Sequence, residues 1–306
     1  MAPPRRSLRM KTADVPNIGP GGDELGESGQ PYALALSEAE VTRYQRMAER
    51  ARVAEADLWQ RAGIVAGAQV ADVGCGPGAL LPALSGVVGP TGRVIAVDAD
   101  PRAVAPAPAL VVASGLANVT VRQGRANRTG LPAASCDVVM LRHVLAHNGG
   151  SEDGIVAHLV TLLRPGGCLY LVDADGTAIR TVPEDVDLED LLQRYLTFHV
   201  AQGNDVRAGL RLGERLVRAG LELVEFRGTS LIGPVQAGMR PPPWAARDAM
   251  VAAGVATEAD VARWAHAFAR CDAAAVMLRQ PQQRSLSRCL PPLDAVKPEA
   301  LWEPGC

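Results

Sequence analysis

The stretch from Gln69 to Leu80 constrains this chain more than any other. The apolar run Val70-Ala71-Asp72-Val73 gives way to Gly74-Cys75-Gly76-Pro77-Gly78, with a glycine at every second position, and a helical pattern begins at Ala79. Glycine permits a sharp turn and lets the backbone approach a ligand with no Cβ in the way. A strand that turns this tightly into a helix gathers free N–H groups at the carboxyl edge of a sheet, where open α/β sheets bind their ligands. A polar, nucleoside-like ligand at this turn is the first expectation.

The rest of the middle of the chain alternates strand and helix, which implies a parallel sheet with helices on both faces. Strands are expected at 69–73, Arg93–Asp98, Val119–Arg122, from Asp137 into Arg142, and Cys168–Asp173. The first helix is expected at 79–87, and a later one starts at Ser151 with the stripe Ile155, Val156, Leu159, Val160 and Leu163. Asp100 before Pro101 reads as an N-cap and first-turn pair. Pro106 and Pro108 then fall where a helix should run, so a kink, or a start near Ala109, is expected. Upstream, Ser37-Glu38-Ala39-Glu40 has the form of a capping box. Val41, Tyr44, Ala48, Ala51 and Leu58 share one helical face, and that helix should stop near Gly63.

Of 31 cationic residues only Lys11 and Lys297 are lysines, and with the Ala, Gly, Pro and Val content this points to a GC-rich bacterial genome rather than to function. A formal charge of -2 gives no overall basic field, which disfavours a nucleic acid partner. Six cysteines show no C-x-x-C pair and no metal-ligand spacing, so no metal is expected. No apolar run reaches the length of a membrane span, and a cytoplasmic protein is expected.

The phrase Asp72-Val-Gly-Cys-Gly-Pro-Gly resembles the first motif of the class I S-adenosylmethionine-dependent methyltransferases. Arg93-Val-Ile-Ala-Val-Asp98, Arg142-His143-Val-Leu-Ala-His147 and Leu163-Arg-Pro-Gly-Gly with its apolar strand resemble later phrases of that family, in the same order. The likeness covers about residues 32–230 and is closest to small-molecule enzymes of the ubiquinone-biosynthesis type. It implies a Rossmann-like three-layer sandwich with a mainly parallel seven-stranded sheet, a capping helix and a helical lid. It implies S-adenosylmethionine bound by Asp72, Gly74, Cys75, Gly76, Asp98 and Ala99. Ala126 and Asn127 would meet the adenine, Arg142 and His143 the sulfonium end, and Tyr32 would act from the cap. Arg125 or Asn127 stands where the family commonly has a carboxylate, and Asn127 is favoured because its carbonyl oxygen can accept from the adenine amine.

Domain boundaries follow: a flexible tail at 1–31, a domain at 32–279 with cap 32–63, core 64–230 and lid 243–271, and a disordered tail at 280–306. The lid would carry Trp244 and Trp264. Ala275-Val-Met-Leu278 is the candidate seventh strand. Transfer of a methyl group from a sulfonium needs alignment more than covalent help. For a hydroxyl or amine acceptor a base is required, and His147 is the leading candidate, followed by Asp173 and His199. The polar segment Phe198–Asp205 is expected to line the acceptor pocket. A homodimer is compatible with the cap. Two other readings stay open: a nicotinamide-dependent oxidoreductase using Gly74, Gly76 and Ala79, and a methyltransferase-fold protein that binds the cofactor without transfer.

Overall fold

The computed structural model describes residues 38–234, 240–273 and 277–288. Tyr32, the segment 1–31 and the end of the chain from 289 lie outside the described residues.

Helices α1 (Glu38–Ala54) and α2 (Ala56–Ala62) precede the sheet. The expected single helix breaks at Glu55, whose φ of -118° and ψ of 7° leave the helical region. It ends at Gly63 as the sequence implies, with φ of 94° closing the last turn. Then follow β1 (Gln69–Val73), α3 (Leu81–Val88), β2 (Arg93–Asp98), α4 (Pro101–Val104), α5 (Pro106–Ala113), β3 (Val119–Gln123) and β4 (Cys136–Arg142). Asp100 does cap α4, accepting from the Arg102 N–H. The proline-rich helix breaks at Ala105 rather than starting near Ala109. Pro106 and Pro108 sit in the first turn of α5, where backbone N–H groups have no helical partner to lose.

The second half holds α6 (Glu152–Leu162), β5 (Leu163–Ala174), β6 (Arg180–Val182), α7 (Val186–Ala201), α8 (Leu212–Arg218) and β7 (Glu222–Pro234). Helices α9 (Pro242–Ala245), α10 (Arg247–Ala252) and α11 (Glu258–Ala273) lead to β8 (Met277–Arg288). The main sheet runs β3-β2-β1-β4-β5-β8-β7. Strands β1 to β5 pair in parallel, while β8 is antiparallel to both β5 and β7. The short β6 pairs with Met277–Arg279 of β8 beyond the end of β5.

Among the described residues the final strand runs Met277–Arg288. Met277 and Leu278 of the expected seventh strand lie in it, and Ala275 and Val276 lie outside the described residues. It takes in residues 280–288 that their proline and polar content had placed in a tail. Pro281 falls in the gap between the β5 and β6 pairings, where a missing N–H breaks no bond on that edge.

Each face of the sheet carries its own core. Leu58, Trp59, Leu81, Leu84 and Val88 pack on Val70, Val138 and Met140 on one side. Ile155, Leu159, Leu212 and Leu216 pack on Ala71, Val139 and Leu141 on the other. The alternation of β1 and β4 residues between the two faces is the period of 2 that a strand imposes. A third core joins α7 to α9, α10 and α11 around the fully buried Trp264. The helices expected as a lid are thus bound to α7, and Trp264 is core, its indole donating to Asp190. Among the described residues no helix is long and apolar enough to cross a membrane.

Candidate active site

The strand order reverses at β1, with β2 on one side and β4 on the other, so a crevice opens at their carboxyl ends. The glycine turn lies there. Gly74, Gly76 and Gly78 all have positive φ, at +74°, +53° and +79°. A side chain at Gly74 would collide with Val144, whereas one at Gly76 would meet nothing within 4 Å. The Gly74 and Cys75 N–H groups are taken by the Val97 carbonyl, at 2.7 and 3.1 Å. The Cys75 thiol is pushed far up by burial, then by the negative charges of Asp72 and Asp98, which makes it an inert lining group.

Asp98 ends β2 beside the turn. Its Oδ2 accepts from the Gly76 N–H at 2.8 Å and its Oδ1 from the Asp100 N–H at 2.9 Å. Burial raises its pKa, with those two donors opposing. Each oxygen keeps a second lone pair, so the carboxylate can still accept from a diol. Ala99 next to it is exposed. Across the crevice, residues Arg125 to Arg128 form a tight turn, closed by Arg128 N–H to the Arg125 carbonyl at 2.9 Å. Asn127 at its tip is exposed and Ala126 is half-buried.

Two expected ligand contacts lie deeper than the sequence reading put them. Asp72 is only 2% exposed. Burial lifts its pKa to about 7, Arg142 opposing and Asp98 adding to the shift. Arg142 turns away from the crevice into a buried ion pair, with Nη1 2.5 Å from Glu55 Oε2 and Nη2 3.2 Å from Oε1. Glu55 also takes the Arg284 guanidinium at 2.9 Å and the Tyr170 hydroxyl at 2.8 Å. Burial alone would raise the Glu55 carboxyl, but Arg142 and then Arg284 outweigh it and bring it down to about 2. These contacts gather on the residue at which α1 gives way to α2. Neither Glu55 nor Arg284 stands out in the sequence, because their partners are remote along the chain.

Three histidines gather past the end of β4. His143 holds φ of +55° and is fully withdrawn from solvent at Nε2, which has no partner among the described residues. Burial, then the Arg142 charge, depresses its pKa to about 3. His147 sits in the turn Leu145–His147, its ring centroid 5.0 Å from that of His199 on α7. Burial, then the charges of His199 and Arg43, brings His147 to about 3. Burial likewise brings His199 to about 4. Arg43 of α1 is 9% exposed and close enough to His143 and His147 for its charge to be felt by both.

The chain thus brings together two of its three expected catalytic groups from elements 52 positions apart in sequence. Asp173, the third, spends its carboxylate on backbone: it accepts from Ala146 at 3.1 Å and Ala174 at 2.9 Å, fixing the turn that carries His147. Burial raises it to about 6 against those donors. Asp175 similarly accepts from Thr177. Of the polar segment expected to line the acceptor pocket, Phe198 to Ala201 belong to α7 and only Gln202 onward is loop. Among the described residues no cluster of His, Cys, Asp or Glu is placed to hold a metal ion.

A glycine turn and a strand-end carboxylate at the reversal point of a 3-2-1-4-5 sheet closed by an antiparallel strand define the class I methyltransferase fold. Residues 70–167 match the family model described as a methyltransferase domain, and the chain carries that domain. S-adenosylmethionine is the cofactor of this class. The residues fit it: an open approach at Gly76, a carboxylate with spare lone pairs at Asp98, and an exposed amide at Asn127. A nocamycin O-methyltransferase from Saccharothrix syringae is 36% identical over 34% of this chain and 37% of its own length. An uncharacterised 37.1 kDa transposon protein of Streptomyces fradiae is 30% identical over 51% of this chain and 43% of its own. The chain thus spans about two fifths of the length of these curated relatives. A solved Bacillus halodurans structure assigned as a methyltransferase superposes with a TM-score of 0.53 at 20% identity, over 77% of this chain and 98% of its own.

Proposed function

We propose that this protein transfers a methyl group from S-adenosylmethionine to an oxygen of a small molecule. The observation that carries the reading is the pairing of Asp98 with the Gly76 N–H at the sheet's reversal point, which fixes a carboxylate beside an unobstructed glycine. When bound, the cofactor supplies an electrophilic methyl carbon on a sulfonium. Gly74, Gly76, Asp98, Ala99, Ala126 and Asn127 would hold it, and His143, with its buried orphan nitrogen, stands nearest the transfer end. Asp72 and Arg142 support the turn from below rather than touching the ligand.

The acceptor lies beside His147 and His199. Oxygen is favoured over nitrogen or carbon by the name of the Saccharothrix relative, which is an O-methyltransferase. A base role for His147 suits only an acidic acceptor proton, because a ring held near 3 removes protons poorly from an alcohol or an amine. Absence of an overall basic field keeps nucleic acid out of the reading. Cytoplasmic location and a homodimer built through the cap belong to the same proposal.

Calorimetric titration with S-adenosylhomocysteine tests the core of it. Micromolar binding is expected, lost in Asp98→Ala, with no heat from NADH. Silence with the homocysteine compound, or heat from NADH instead, overturns the proposal.

A further inference from the structure

His199 was a candidate base; its surroundings make it a donor. The Gly149 N–H, which can only donate, points at Asn204 Oδ1 at 3.2 Å. That fixes the amide the other way round, with Asn204 Nδ2 3.0 Å from His199 Nδ1. An NH2 group donates, so Nδ1 must present its lone pair, and the proton of a neutral His199 ring sits on Nε2. The lock is tight because the two loops touch: a side chain on Gly149 would collide with the Gly203 carbonyl. The loop is further tied by the Asn204 N–H to the His199 carbonyl at 2.9 Å.

The Nε2–H so defined is buried and without a partner among the described residues, on a residue 3% exposed. A buried donor left unpaired keeps the full cost of its lost hydration, so something is meant to accept from it. The His147 ring stands beside that of His199, and the Arg43 cation of α1 is close enough to His147 for its charge to be felt there. Tyr195 and Phe198 close the ring in from α7.

We propose that His199 Nε2–H binds the acceptor's reacting oxygen, and that this oxygen arrives already ionised, as a carboxylate or the enolate of an acidic enol. This rests on the methyltransferase reading and names the substrate class of that site. An anionic oxygen satisfies the orphan donor, and the positive charge that Arg43 brings to the neighbouring His147 ring favours it. It also needs no base: as the oxygen–carbon bond forms, the carbon–sulfur bond breaks with its electron pair going to sulfur, and no proton has to leave. The weak basicity of His147 and His199 agrees with a site that never has to take one.

The test is ¹⁵N NMR of histidine-labelled protein saturated with S-adenosylhomocysteine, with the His199 signals assigned by their loss in His199→Phe. At neutral pH the Nε2–H tautomer is expected, becoming a mixture in Asn204→Leu. Formate, as the smallest carboxylate, should move the Nε2–H resonance saturably, and neutral formamide should not. In His199→Phe the affinity for formate should drop at least tenfold, while His199→Gln, which keeps an N–H donor, retains most of it. An Nδ1–H tautomer in the wild-type protein, or an Nε2–H signal that formate leaves in place, overturns the proposal. Failure to bind S-adenosylhomocysteine would instead sink the methyltransferase reading, and the tautomer would still be read in its absence.

Discussion

Gly74 and Gly76 both hold left-handed backbone, yet they face different things, and alanine at each should fail differently. At Gly74 a methyl group would strike Cγ2 of Val144, the residue that leads into the His147 turn. Relief requires moving either the glycine turn or that turn, so Gly74→Ala should lower the melting temperature clearly, by a cost of about 2 kcal/mol or more. At Gly76 nothing lies within 4 Å, so only the left-handed strain remains, roughly 1–2 kcal/mol. The added methyl would occupy the space through which a ligand reaches the Asp98 side of the turn. Gly76→Ala should therefore fold, lose no more than that strain in stability, and bind S-adenosylhomocysteine at least tenfold more weakly. Thermal unfolding and calorimetry on the two variants check the contrast. A Gly76→Ala protein that binds normally would mean the ligand does not pass over this glycine.

Between elements, the contact that matters most is the buried knot of Glu55 with Arg142, Arg284, Tyr170 and Trp59. It joins the start of α2 to β4, β5 and β8, all beneath the glycine turn. Replacing one partner of a buried ion pair leaves the other charge unpaired, which costs about 3–5 kcal/mol. Glu55→Gln keeps the shape but strands two guanidinium groups, and urea unfolding should show a loss in that range; a loss under about 1 kcal/mol would mean the knot is solvated in solution. The same knot marks where the sequence could be read and where it could not. Strands β1 and β2 match expectation residue for residue, because an apolar run ended by glycine or by aspartate is a local signal. Asp98, Gly74 and Gly76 were legible for the same reason. The break at Glu55 was not, since an acidic residue inside a helical stripe looks like a solvated one until partners 87 and more positions away are placed against it. Strand β8 was hidden by its own polarity: Gln282, Gln283, Arg284 and Ser285 read as a tail, though Gln283–Ser287 are buried between two neighbours. His147 and His199 were each visible as candidates, but only the fold of α7 against the turn brings them together, and the lock on His199 depends on Gly149, a glycine with no motif around it.

For the molecule as a whole, the buried ionisable groups oppose one another, and their balance predicts a stability optimum. Asp72 and Asp173 have folded pKa values of about 7 and 6 against an ordinary 3.8, so the folded state holds protons the unfolded chain has released. Their stabilisation is complete below 3.8 and is lost as pH rises through 6 and 7. His143, His147 and His199 are displaced the other way, to about 3, 3 and 4 against 6.5. Their contribution is present above 6.5 and is lost as pH falls toward 4. Glu55, at about 2 against 4.5, adds to the acid loss. Between about 4.5 and 6 the three strongly displaced histidines outweigh the two strongly displaced carboxylates, so stability climbs with pH. Above 6.5 the histidine terms have ended and Asp72 alone still pulls down, until about pH 7. Stability should therefore peak near pH 6.5, fall slightly to 7 and level off. Asp72→Asn, which removes the one group still acting there, should erase that decline and leave the variant more stable than wild type above pH 7, by an amount on the order of a few kcal/mol. Urea unfolding of both proteins from pH 5 to 8 decides it. A wild-type curve that keeps rising past pH 7, with Asp72→Asn less stable throughout, would mean that Asp72 is ionised and held by Arg142 in the folded state. The ion pair beneath the turn would then extend from Glu55 through Arg142 to the first strand.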